Sequence, residues 1–170
     1  MGTALWLHHR GLRALAAVEF LPGLLARVVV GYGFANAGWA KLGNLEQVIG
    51  YFEQLGIPLA AVQAPFVSGV ELLCGGLLVL GLATRLSAGM LLATMVVAIA
   101  TAILPGLDRL TDLVDKTETL YVVILLTLLV RGGGAASLDA WLGRVFGWSR
   151  ATAVGEVRAA MVGEPRRGVA

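Results

Sequence analysis

Four ionisable side chains, Arg27, Lys41, Glu71 and Glu118, stand inside or at the ends of long apolar segments. A charge at membrane depth costs at least about 2.5 kcal/mol on insertion scales, so it persists only where it is paired, solvated or put to use. Arg27 and Lys41 share one apolar segment, whereas Glu71 and Glu118 belong to two others. Depth in the segments pairs Arg27 with Glu71 and Lys41 with Glu118. Such pairs either neutralise each other and fix helix register, or line a polar pocket for a small ligand, a quinone headgroup or a proton path. Arg27, Gly31, Phe34, Gly38 and Lys41 step by four, three, four and three residues, which places them on one helix face. Glycine on that face lets a neighbouring helix approach closely. The expectation is an interior polar cavity bounded by Arg27, Phe34, Lys41, Glu71 and Glu118, open toward the outer side of the membrane.

Two further stripes belong to the same interior. Gln63, Val67, Glu71 and Cys74 share a face of the second segment, with the packing glycines Gly75 and Gly76 beside them. Ser87, Thr94 and Thr101 recur every seven residues on the third. Cys74 is the only cysteine, which excludes an internal disulfide, a CxxC redox pair and a cysteine-based zinc site. The two histidines, His8 and His9, both precede the first apolar segment, and no metal site is expected. No haem, flavin or metal motif is evident, so redox chemistry would need a cofactor or a partner protein. A quinone is the cofactor that would suit the polar face.

The elements that must carry these residues follow from composition. The 170 residues are 58% hydrophobic and 14% charged, against about 25% charged in a soluble domain. A spanning helix needs about 20 mainly apolar residues. Leu21 to Lys41, Ala60 to Leu82, Leu86 to Leu104 and the shorter Thr117 to Val130 meet or approach that length. Pro65 is expected in the first turn of the second span, where proline is tolerated. Between the first two spans, Leu45, Val48, Ile49, Phe52 and Leu55 recur at helical spacing opposite Glu46, Glu53 and Gln54. This is the pattern of a short amphipathic helix on the membrane surface. A second interfacial helix is expected after Arg131-Gly132-Gly133-Gly134, capped by Ser137 or Asp139 and anchored by Trp141 and Trp148. The reading is therefore all-α: an integral membrane four-helix bundle with short interfacial amphipathic helices.

Residues 1–20 form an N-terminal segment, 21–148 the membrane domain and 149–170 a basic tail. The first apolar run is too long for the h-region of a signal peptide, so no cleaved leader is expected. Nine lysines and arginines fall on the side of the two chain ends and three on the other. The positive-inside rule places both termini in the cytoplasm. A net charge of +2 offers no field for nucleic acid. The partners expected are the lipid bilayer and other membrane proteins or redox partner subunits.

The order Arg27, Gly31, Gly38, Lys41, then Gly56-Ile57-Pro58, Glu71 before Gly75-Gly76, Leu80-Gly81-Leu82-Ala83-Thr84-Arg85, Glu118 and Ser137-Leu138-Asp139 resembles the DoxX family. The resemblance implies a four-helix protein of the bacterial cytoplasmic membrane. It also implies a link to redox systems, as membrane subunits of thiosulfate–quinone oxidoreductases or partners of sulfur-transfer and oxidative-stress proteins. The expected function is a membrane subunit or accessory protein of a quinone-linked oxidoreductase or redox-stress system. A non-catalytic subunit of a larger membrane complex and a small-solute transporter are the alternatives.

Overall fold

A computed structural model describes residues 20–107, 110–134 and 136–145. His8, His9, Trp148 and the basic tail lie outside the described residues. The helices, in chain order, are α1 (Phe20–Gly43), α2 (Leu45–Gln54), α3 (Ala60–Leu80), α4 (Thr84–Ala98), α5 (Thr117–Arg131) and α6 (Leu138–Val145). α4 is prolonged by a π turn over Ile99–Ile103 and a 3-10 turn over Leu104–Gly106, and a 3-10 segment, Leu110–Asp115, leads into α5. No strand occurs among the described residues.

Three stretches, Phe20–Gly43, Ala60–Leu80 and Thr84–Gly106, are long and apolar enough to cross a membrane. This is an all-α membrane bundle. α5 has 15 residues, or about 22 Å at 1.5 Å per residue, against a hydrocarbon core of about 30 Å. The faces turned away from the bundle carry Val29, Leu73, Val123 and Val130, all exposed. In water such a surface would aggregate, whereas in lipid it is the ordinary solvent-facing side.

Glycines set where the helices stop. Gly56 and Gly81 both adopt left-handed φ, 70° and 72°. After each, the chain reaches back in the same way, Ile57 N–H to Phe52 O and Leu82 N–H to Leu77 O, which satisfies carbonyls that a helix end leaves free. Pro65 departs from expectation. α3 begins at Ala60, so Pro65 lies inside the helix rather than in its first turn. There its missing N–H leaves one helical hydrogen bond unmade.

Glycine also decides which helices touch. α1 and α3 pack antiparallel with their backbones in contact. A Cβ on Gly31 would lie 2.8 Å from Gly75 O, one on Gly75 would lie 2.5 Å from Ala35 N, and one on Gly38 would strike Leu72 N and Ser68 O. Gly76, grouped with these glycines by sequence, faces open space. It is one residue, and so about 100° of helix rotation, away from the contact line of Gly75. α5 packs on α4 and reaches α1 through Tyr121, whose ring centroid stands 5.3 Å from that of Phe34. The core between the four long helices is Val30, Phe34, Cys74, Leu78, Ala88, Leu91, Met95, Leu125 and Leu128.

Candidate functional site

The face of α1 expected from spacing is the buried one, with Arg27, Val30, Gly31, Phe34 and Gly38 inside. Its two charges go to separate places. Arg27 and Lys41 are 14 residues apart, so about 21 Å separates them along the helix axis. Each has found a partner other than the one that depth suggested.

Lys41 meets Glu71. Its ammonium donates to both carboxylate oxygens, at 2.7 and 2.6 Å. The antiparallel packing explains this. Helical side chains lean toward their own N-terminus, so Lys41 leans inward along α1 and Glu71 leans to meet it along α3. Close approach at Gly38 brings the two backbones near enough. The Glu71 side chain is 3% exposed and that of Lys41 35%. The carboxylate is therefore inside the bundle, and the ammonium closes over it from a groove. Glu118, expected as the partner of Lys41, lines the same groove instead.

That groove has a volume of about 910 Å³. α3 and α4 form its walls, α2 lies across one end, and the first turn of α5 contributes Glu118. Lys41, Gln63, Glu71 and Glu118 give one end a polar character; Phe66, Val70, Leu86, Met90 and Val97 make the rest apolar. Arg85 stands at the far end. The amphipathic pattern of α2 accounts for its place, since Val48, Phe52 and Leu55 face the groove. Of the residues expected to bound one interior cavity, Lys41, Glu71 and Glu118 come together here. Arg27 and Phe34 do not. Phe34 fills the core against Tyr121, and Arg27 is at the other end of α1. Thr94 and Thr101 line the groove, while Ser87 of the same stripe is buried in the bundle.

Arg27 is the centre of a clamp. Its Nη1 donates to Gly133 O at 2.6 Å and its Nη2 to Ala136 O at 2.8 Å. Asp139, the charged neighbour of Arg27, accepts from the backbone N–H groups of Ala83 at 2.7 Å and Thr84 at 2.9 Å. Its own N–H donates to Gly81 O at 2.9 Å. Ala83 has a left-handed φ of 45°, a conformation that costs an L-residue about 1–2 kcal/mol. The carboxylate at the start of α4 offsets that cost, because it satisfies two free donors and faces the positive end of the helix dipole. Ser137 is the residue that caps α6, accepting from Ala140 N–H at 3.1 Å. Of the two cap candidates, Asp139 serves the neighbouring helix instead. Trp141 is exposed on α6.

Spacing alone did not reveal this role of Asp139. Its signal was the pair of short motifs around Gly81 and Ser137, which lie 56 residues apart and dock against each other. Asp139→Ala should lower stability by about 1–2 kcal/mol, the usual loss on removing a helix cap. Thermal unfolding in detergent, followed by circular dichroism, measures it. An unchanged midpoint would remove Asp139 from the clamp.

The sequence profile of the DoxX family matches residues 23–104. The uncharacterized membrane protein Rv3486 of Mycobacterium tuberculosis is 36% identical over 140 residues, which cover 76% of this chain and 83% of the relative. No solved structure matches the chain.

Proposed function

The chain belongs to the DoxX family, and from that premise we propose that it is a quinone-holding accessory protein of a membrane redox system. The observation that carries the reading is the groove with a Lys41–Glu71 pair at one end and apolar walls beyond it. Its volume of about 910 Å³ falls within the ordinary range for small-molecule sites, about 300–1,000 Å³.

The residues fit the two ends of a quinone. The Lys41 ammonium is a donor for a ring carbonyl, and Glu71 is an acceptor for a ring hydroxyl. An isoprenoid tail would lie along Phe66, Val70, Met90 and Val97. The bound quinone would supply the electron-carrying chemistry, and electrons would come from a partner subunit. This chain would orient the ring, shield it from lipid and neutralise charge beside it. α5 would complete the bundle as a fourth span, and both termini would face the cytoplasm of a bacterial inner membrane. The lysine and arginine asymmetry supports that orientation.

Purification in mild detergent, followed by extraction and mass spectrometry, tests the reading. The wild type should retain quinone near one molecule per chain. Ala93→Phe, which fills the groove wall, should reduce retention at least about tenfold, a change of about 1.4 kcal/mol. Quinone at the level of empty detergent micelles, in wild type and variant alike, would defeat the proposal. A structural subunit would remain the better reading if fixed-stoichiometry proteins copurified without quinone.

A further inference from the structure

The polar atoms that line the groove divide by what they still have to offer a ligand. Its donors are mostly engaged. Lys41 gives two N–H bonds to Glu71 and keeps one. The hydroxyls of Thr94 and Thr101 donate to carbonyls of their own helix, Leu91 O and Val97 O, both at 2.8 Å, which is the usual way to satisfy a hydroxyl away from water. Gln63 Nε2 donates at 2.7 Å to Pro58 O, in the turn that opens its own helix. At the far end Arg85 Nη2 donates to Val130 O at 2.9 Å. Gln47 and Tyr51 keep donors of their own, but both are exposed on α2.

The acceptors are mostly free. Glu118 lines the groove and is partly buried, yet it has no hydrogen bond and no ion pair among the described residues. It stands in the first turn of α5, where the positive end of the helix dipole favours a carboxylate but engages neither of its oxygens. A hydroxyl keeps its lone pairs after its proton is committed, so Thr94 and Thr101 are acceptors toward the groove, as is Gln63 Oε1. Charge runs the same way. At the polar end two carboxylates, Glu71 and Glu118, face one ammonium, Lys41. Lys116, two residues before Glu118, is exposed and lies outside the lining.

A groove with free acceptors is complementary to a ligand that brings donors, because polar groups away from water need partners. Only one redox form of a quinone does so. The oxidised ring carries carbonyls, which accept. The reduced ring carries hydroxyls, which donate and stay protonated at neutral pH, as the phenol of tyrosine does with its pKa of about 10. A carbonyl against Glu118 sets acceptor against acceptor, whereas a hydroxyl there makes a charge-assisted hydrogen bond, roughly twice as strong as a neutral one.

We propose that the groove selects the reduced, hydroxyl-bearing quinol over the oxidised quinone, with Glu118 as the selecting acceptor. This rests on the quinone reading of the groove and adds which redox form is held. Selection is a matter of binding alone, and no bond forms or breaks in the groove. The form held more tightly is the form toward which the bound couple shifts. A tenfold preference for quinol raises the potential of the bound two-electron couple by about 30 mV.

Protein in nanodiscs, stripped of native quinone, is titrated calorimetrically with a decyl-chain benzoquinone and, under argon, with the same compound reduced to the quinol. Empty nanodiscs give the lipid background. The wild type should bind the quinol at least about tenfold more tightly than the quinone. Glu118→Gln keeps the side-chain shape and replaces one acceptor with a donor. It should weaken quinol binding about tenfold and bring it level with that of quinone, and measurable quinone binding shows that the variant is folded. Thr94→Val, on another helix, removes acceptor lone pairs without touching charge and should narrow the preference by a smaller factor. Quinone held as tightly as quinol by the wild type would overturn the selection and leave the quinone reading in place. An undiminished preference in Glu118→Gln would overturn the role of Glu118. Binding of neither form would overturn the quinone reading itself, and the selection with it.

Discussion

Gly38→Val should be among the most damaging single substitutions in the bundle. A Cβ at this position meets Leu72 N and Ser68 O. Both are backbone atoms, so no rotamer change relieves the contact and the two helices must part. Overpacking a core costs about 1–3 kcal/mol, occasionally more, and a backbone obstacle belongs at the upper end. Separation here would also pull Lys41 from Glu71. Gly76→Val is the matched control, since a Cβ there meets nothing within 4 Å. It should shift stability by less than about 1 kcal/mol, within the range for substitutions away from special features. Thermal midpoint and the monodisperse fraction after detergent extraction give the comparison. Equal behaviour of the two variants would mean that α1 and α3 are not in backbone contact.

Lys41→Met should cost more than the bridge itself is worth. Breaking a buried pair by removing one partner costs about 3–5 kcal/mol, because the remaining charge is left uncompensated. Lys41 is partly exposed, so solvent screening places the loss toward or below the lower figure. Glu71→Leu leaves the ammonium beside the groove, where it can turn toward water, and should be milder. The double change Lys41→Met with Glu71→Leu should recover most of the loss. A double-mutant cycle read by thermal unfolding decides it. If the two single losses simply add in the double variant, the pair makes no coupled contribution. Arg27 has no place in this cycle, since its partners are the carbonyls of Gly133 and Ala136.

Much of the architecture was legible in the order of residues. Apolar length marked the helices to within a few residues, because no other structure satisfies backbone polar groups in lipid. The step of four and three from Arg27 to Gly38 identified the buried face of α1, and the helical spacing of apolar residues in α2 identified an amphipathic helix, though not the groove onto which its apolar face is turned. Pairing was less legible. Depth alone pointed Arg27 at Glu71, but depth ignores what else lies in reach. The chain after α5 folds back beneath Arg27 and offers it two carbonyls, and no period in the sequence announces such a return. Gly75 and Gly76 show a finer limit. Both are small and adjacent, yet only one meets α1, because the rotation of a helix decides contact and composition does not report it. Asp139 was legible as a cap, but the helix it caps lies 55 residues earlier in the chain.

The clamp around Arg27 gives the bundle a mechanical asymmetry. Every hydrogen bond described above that joins the α1–α3 pair to the rest of the protein lies at that end, through Gly81, Gly133, Ala136 and Asp139. At the Lys41 end the strong tie, Lys41 to Glu71, stays within the pair, and α3 faces α4 there across the groove. The helices are thus held like the arms of tweezers, fixed at the heel and free at the tips. Small tilts about the heel change the width at the tips most, where the polar head of the groove lies. Distances between α3 and α4 should spread more broadly near Val67 and Val97 than near Gly81 and Thr84. Met95 belongs both to the core and to the groove wall, and Val70 and Leu129 of that wall pack against the core, so a change of width at the tips is felt in the core.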